Sequence, residues 1–191
     1  MKSFVTGLAL VAAMLVSAMA ASGQDQEAKA QGKTNAAPGP IHRELAKRAG
    51  EYTTHSKFTF KPGAPPQETE GTAALKSILG GRFLQEDNTG KLIGMPVGSM
   101  HLYGYNNATK KYESIWMYTG STGFMTMSGT SDDGGKTIKY VATFDDDAGN
   151  KQTLEVFVRN IDDDHFSVAL IAKNPEGGQG PTLETTYARK K

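Results

Sequence analysis

The chain has 191 residues, with 21 Lys and Arg against 20 Asp and Glu, a formal charge of +1 and no cysteine. A near-neutral chain of mixed sign lacks the basic footprint of a nucleic-acid or anionic-membrane binder. The missing thiols exclude disulfides, cysteine-ligated metals, thiol catalysis and lipoprotein attachment, so stability must come from the core alone.

Residues 1–20 read as a secretory signal peptide. Lys2 supplies the positive charge, Phe4 to Val16 form a short apolar run, and Ala18-Met19-Ala20 is a small-x-small cleavage pattern. The run is too short to span a bilayer, and no later run is long enough to be a transmembrane helix. A periplasmic or secreted location is expected. Residues 21–39 are rich in Ala, Gln, Gly, Lys and Pro and carry no large apolar side chain. Such a segment buries too little surface to offset its ordering entropy and is expected to be a disordered linker. Residues 40–191 remain as a single domain.

Pro40 opens a short helix in which Ile41 and Leu45 share a face, and Gly50 is placed as its C-terminal cap. After Gly50 the period changes to two. Tyr52, Phe58 and Phe60 fall on one face, and Thr53, His55, Lys57 and Thr59 on the other. Further strands are predicted at 68–79, 82–92, 98–105, 112–118, 123–130, 137–144, 151–160, 165–172 and 181–189, with turn-forming links between them. Ile138, Tyr140 and Phe144 alternate with polar neighbours, as do Leu154, Val156 and Val158, and Leu183 and Tyr187. Short links between consecutive strands favour an up-and-down meander over the crossings of a sandwich. The fold class is therefore all-β, an antiparallel up-and-down barrel of about 8–10 strands with one short helix, since closure removes both sheet edges.

Several ordered blocks resemble the bacterial family of domain of unknown function 1579. They are H-R-E-L-A from His42, G-A-P-P-Q-E-T-E-G-T-A, L-G-G-R-F-L-Q-E, G-M-P, G-Y-N-N-A-T-K-K-Y, Trp116, M-T-M-S-G-T and the closing Y-A-R-K. Two positions depart from the family pattern: Tyr52 stands where tryptophan is usual, and Tyr118 where aspartate is usual. The resemblance implies architecture rather than chemistry. The layout also resembles lipocalin and fatty-acid-binding (calycin) barrels. That likeness implies a structural closure of one barrel end by Leu45, Tyr52 and Arg189, with the arginine stacked on the aromatic ring.

A barrel of this size has room for side chains and one small ligand. Tyr103, Tyr105, Trp116, Tyr118, Met125, Met127 and Tyr140 lie on the central strands, where flat aromatics and adaptable methionines suit an apolar or amphipathic molecule. Ser114 beside Trp116 and Thr126 beside Phe124 point to polar groups on the same inward rows. Arg82 and Glu86, spaced i and i+4 on one strand, add a candidate charged pair in which a buried arginine would hold a ligand carboxylate. Of the four histidines only His101 has a position suited to the interior, and it would be the axial ligand if haem were bound. The runs Asp145-Asp146-Asp147 and Asp162-Asp163-Asp164 fail the spacing of a calcium loop and read as hairpin turns. No assembled catalytic motif, metal site or cofactor site is read. The expected function is holding a small apolar ligand, with no nucleic-acid partner and no integral membrane segment after signal cleavage. The alternatives are a barrel-interior isomerase or hydrolase using Arg82, Glu86, His101 or a tyrosine, and a non-catalytic interaction module of the envelope.

Overall fold

Alternation of apolar and polar residues gives each strand one inward and one outward row. The computed structural model describes residues 35–92, 94–173 and 178–191. The chain divides into two units, Met1–Ala37 and Pro38–Lys191, and every element named here belongs to the second. The expected signal peptide and most of the expected linker, residues 1–34, lie outside the described residues, as do residues 93 and 174–177.

Helix α1 (Pro40–Ala46) precedes strands β1 (Gly50–Thr59), β2 (Gln67–Ile78), β3 (Phe83–Leu92), β4 (Met95–Asn106) and β5 (Lys111–Tyr118). These are followed by β6 (Met125–Thr130), β7 (Thr137–Asp145), β8 (Lys151–Asn160), β9 (His165–Lys173) and β10 (Gln179–Arg189). Every strand pairs antiparallel with its sequence neighbour, and β10 returns to β1 with Arg189 opposite Tyr52. The result is a closed barrel without a free edge. Among the described residues, no helix is long and apolar enough to cross a membrane.

The turns explain why the meander follows this path. Asn106 Oδ1 accepts the N–H groups of Ala108 (2.9 Å) and Thr109 (3.3 Å), which folds the chain back between β4 and β5. Asp146 Oδ1 does the same for Ala148 (3.0 Å) and Asn150 (2.9 Å), while Gly149 supplies a positive φ of 79°. The acidic run at 145–147 is thus a hairpin turn held by its own carboxylate.

Gly50 corrects one expectation. The helix ends at Ala46 with Lys47 as its cap, and Gly50 begins β1 with φ of 153°. A Cβ there would strike Nη1 of Arg189. The glycine is required by a side chain from the far end of the chain, which local spacing does not reveal. Gly129 is required in a similar way. It lies opposite Tyr140, and a Cβ would collide with the Lys139 carbonyl oxygen and approach Tyr140 Cδ1 at 2.8 Å. Gly129→Ala is expected to lower the unfolding free energy by about 2–3 kcal/mol. Urea denaturation checks this, and a stability equal to wild type would contradict the packing of β6 on β7.

The inward rows form the core, with Leu84, Ile138, Val156 and Val158 fully enclosed. Loops at the α1 end and at the opposite end differ in character. The α1 end carries the helix and exposes Leu79 and Ile161 in its turns, and the other end exposes Phe60, Met95 and Phe124.

Candidate ligand-binding site

Strand register builds the centre of the site. Glu86 on β3 lies opposite His101 on β4, and His101 lies opposite Trp116 on β5. Directly opposed residues are about 5 Å apart between Cα atoms, so the three inward side chains form one row across adjacent strands. Glu86 is only 3% exposed. Its Oε2 accepts the Tyr103 hydroxyl and its Oε1 the Tyr187 hydroxyl, both at 2.8 Å. Burial pushes the Glu86 carboxyl above the ordinary range, and hydrogen bonds from Tyr187, Tyr103 and Asn88 pull it partly back. Burial likewise raises both tyrosines well above their usual value, reinforced by the carboxylate beside them.

His101 stacks on Tyr103 with ring centres 3.9 Å apart and bonds Ser114 Oγ through Nε2 at 2.5 Å. Ser114 Oγ is 2.8 Å from the Leu102 carbonyl, which only accepts, so the single hydroxyl proton goes there. Nε2 must then donate to Ser114, and Nδ1 carries the unshared pair. Burial lowers the His101 pKa to about 3, keeping the ring neutral. A base this weak and a serine whose proton is directed to a carbonyl do not form an activated nucleophile. The pair is an arrangement for hydrogen bonding.

Above this row a cavity of about 100 Å³ is lined by Glu86 and His101 below and by Trp116, Tyr118, Phe58 and Leu92 higher up. The last four also border an outer chamber of about 590 Å³ at the exposed end of the barrel. Trp116 and Tyr118 stack there with ring centres 4.7 Å apart and planes 7° from parallel. Phe58 meets Phe60 edge-on at 4.5 Å. A polar floor and an aromatic mouth are therefore continuous along one axis.

The other end is closed by packed side chains, which also border a cleft of about 440 Å³ beside α1. The Tyr52 hydroxyl donates to the Arg48 carbonyl at 2.9 Å, and the Arg189 guanidinium lies 4.9 Å above the Tyr52 ring. Arg189 also donates to the carbonyls of Ala49 (2.7 Å) and Lys47 (3.0 Å), tying the last strand to the helix end. Leu45 is buried in the same core. Leu45, Tyr52 and Arg189, chosen from the sequence for closure, meet at this end.

The other sequence candidates separate by depth. Glu86, His101, Trp116, Tyr118 and Met127 line the cavity, and Met125 borders the outer chamber. Tyr103 lies behind Glu86 as its hydrogen-bond donor. Tyr105 sits toward the closed end, edge-on to Tyr112 at 5.1 Å and to His42 at 6.0 Å. Tyr140 is enclosed in the core with a hydroxyl that has no partner there. Arg82 requires correction. It precedes β3, is exposed in the turn, and donates to the Leu79 carbonyl at 3.2 Å at the closed end. The i, i+4 spacing fails because the strand starts at Phe83, so Arg82 is no partner for Glu86. Thr126 and Phe124 are likewise not interior: Thr126 faces outward and Phe124 is 61% exposed at the mouth.

Two buried polar residues carry no local sequence signal of their partners. Tyr187 was placed on an inward row, but nothing local ties it to Glu86. Arg48 is buried at the end of α1, where Nε donates to Asn160 Oδ1 at 3.0 Å and the guanidinium lies 5.2 Å from the Phe166 ring centre. No sequence signal distinguishes it from the solvated basic residues beside it.

A closed antiparallel barrel, plugged at one end by a helix and opening through aromatics at the other, is a lipocalin-like (calycin-type) barrel. The chain belongs to the family described as protein of unknown function (DUF1579), whose model matches residues 37–189. Among solved structures it is similar to Rv2717c from M. tuberculosis, with a TM-score of 0.59 and 15% identity over 81% of this chain and 100% of that one. It is also similar to the S-type phycobiliprotein lyase CPES from Guillardia theta, with a TM-score of 0.53 and 10% identity over 79% of this chain and 93% of that one. At these identities the likeness is one of fold. No curated protein matches the chain.

Proposed function

We propose that the protein is an exported binding protein whose barrel holds one small apolar or amphipathic molecule. The observation that carries the reading is the continuity of the cavity. Acceptors at Glu86 and His101 form its floor, and Trp116, Tyr118, Phe58 and Leu92 form its walls up to an open mouth. An apolar body gains from leaving water against those rings, and a single polar end is oriented by the floor. Export is supported by the charged, apolar and small-residue pattern of residues 1–20, and the intact mass of secreted protein is expected to correspond to a chain beginning after Ala20.

Trp116 is the single tryptophan of the chain, so its emission reports on the site alone. Titration with 1-octanol is expected to change that emission saturably with one molecule bound. A linear, non-saturating response would contradict the binding reading.

A further inference from the structure

We propose that the head group selected by this cavity is cationic, a primary amine or alkylated ammonium on an apolar body, and not the carboxylate of a fatty acid. The proposal rests on the binding reading above and names its ligand class.

Tyr103, Tyr187 and Asn88 each occupy one site on the Glu86 oxygens, and a carboxylate has about four such sites, so about one acceptor site remains. His101 adds Nδ1 as a second acceptor, because its Nε2 proton and the Ser114 proton are both committed. Thr54 and Ser99 also line the cavity and can donate or accept, so the demand for a donating ligand end comes from Glu86 and His101 themselves.

Charge points the same way. Lys91 and Glu70 also border the cavity, but both are exposed at its rim. The buried arginine, Arg48, is engaged with Asn160 and Phe166 toward the closed end and does not border this cavity. A fatty-acid head would therefore bring one carboxylate against another, which disfavours the charged form of both. An ammonium would add to the counter-charge of Arg48, the weakest of the influences that favour the charged form of Glu86.

Two features of the wall and mouth fit the same ligand. The parallel faces of Trp116 and Tyr118 attract a cation through their ring quadrupoles. The outer chamber is bordered by Asp145, Asp146 and Asp147, of which Asp145 meets Lys151 at 3.3 Å. The turn leaves negative charge at the entrance, and such a field concentrates cations there.

The test compares octylamine, 1-octanol and octanoate by Trp116 emission at neutral pH, for wild type and for Glu86→Gln. Octylamine is expected to bind about tenfold tighter than octanol, with octanoate weakest, and Glu86→Gln is expected to bring the amine to the level of octanol. Octanoate binding as tightly as the amine would overturn the head-group inference while leaving the binding reading in place. So would an amine preference that survives Glu86→Gln. Failure of all three amphiphiles to bind would overturn both. The wild-type comparison needs no variant, so a poorly folding Glu86→Gln protein does not remove the test.

Discussion

Acidification from pH 7 toward pH 3 is expected to remove up to about 4 kcal/mol of stability through His101 alone. The ring is buried between Tyr103 and the Ser114 hydroxyl, and burial lowers its pKa from 6.5 to about 3. The unfolded chain takes up a proton near 6.5, whereas the folded chain resists until about 3. The stability contributed by His101 is therefore fully present above 6.5 and is lost as pH falls through that window. Glu86, facing His101 from β3, acts in the opposite sense. Its folded pKa is raised, so its contribution is present below the unfolded value of 4.5 and is lost as pH rises through the folded one. The two effects overlap, and part of the His101 loss is offset by Glu86. His101→Gln keeps a donor for Ser114 and removes the titration. Urea denaturation from pH 7 to 4 is expected to show a steeper loss for wild type than for the variant, and parallel curves would contradict the buried neutral imidazole.

Glu86→Leu is expected to destabilise the protein by about 2–5 kcal/mol, because the hydroxyls of Tyr103 and Tyr187 both lose their acceptor in the core. Glu86→Gln keeps one carbonyl acceptor and offers a donor to the other hydroxyl, while removing a buried charge. It is expected to stay within about 1 kcal/mol of wild type at pH 7 and to gain relative to wild type as pH rises. Adding Tyr187→Phe to Glu86→Leu removes one orphaned hydroxyl, so the double variant is expected to lose less than the sum of the singles. Equal stability of Glu86→Leu and wild type in chemical denaturation would contradict the tyrosine–carboxylate cluster.

The strands were legible because a period of two is a local property and turn residues punctuate it. Ten runs separated by short links leave a meander as the economical topology, and the pairing of β10 with β1 closes it. What failed was the meaning of residues whose partners are distant. Gly50 reads as a cap until Arg189 is seen crossing it. Arg82 and Glu86 share a spacing, yet a strand beginning one residue later leaves the arginine in a turn. Glu86 could be named as a candidate from its strand, but its burial depends on Tyr103 across the sheet and on Tyr187 from the last strand. Arg48 carried no signal at all, since helix-end basic residues are usually solvated. The aromatic row was easier: Tyr103, Trp116 and Tyr118 alternate cleanly, and alternation places them inward. Which of them touch open volume is a matter of depth along the barrel, and periodicity contains no depth.

The same limit applies to Tyr118, at which the resemblance noted in the sequence implies an aspartate in the family pattern. In the barrel it borders both the inner cavity and the outer chamber and stacks on Trp116. An aspartate in its place would put a charge where this chain has an apolar face, so relatives with that residue are expected to differ in the head groups or bodies they accept.

Native mass spectrometry of the protein isolated under non-denaturing conditions from its own host shows whether the barrel carries a small molecule. A one-to-one adduct is expected that is released on unfolding and absent from a Trp116→Arg variant, which replaces the stacked aromatic face of the mouth by a charge. Protein that is fully folded, free of any adduct and unresponsive to amphiphiles added afterwards would contradict the binding reading.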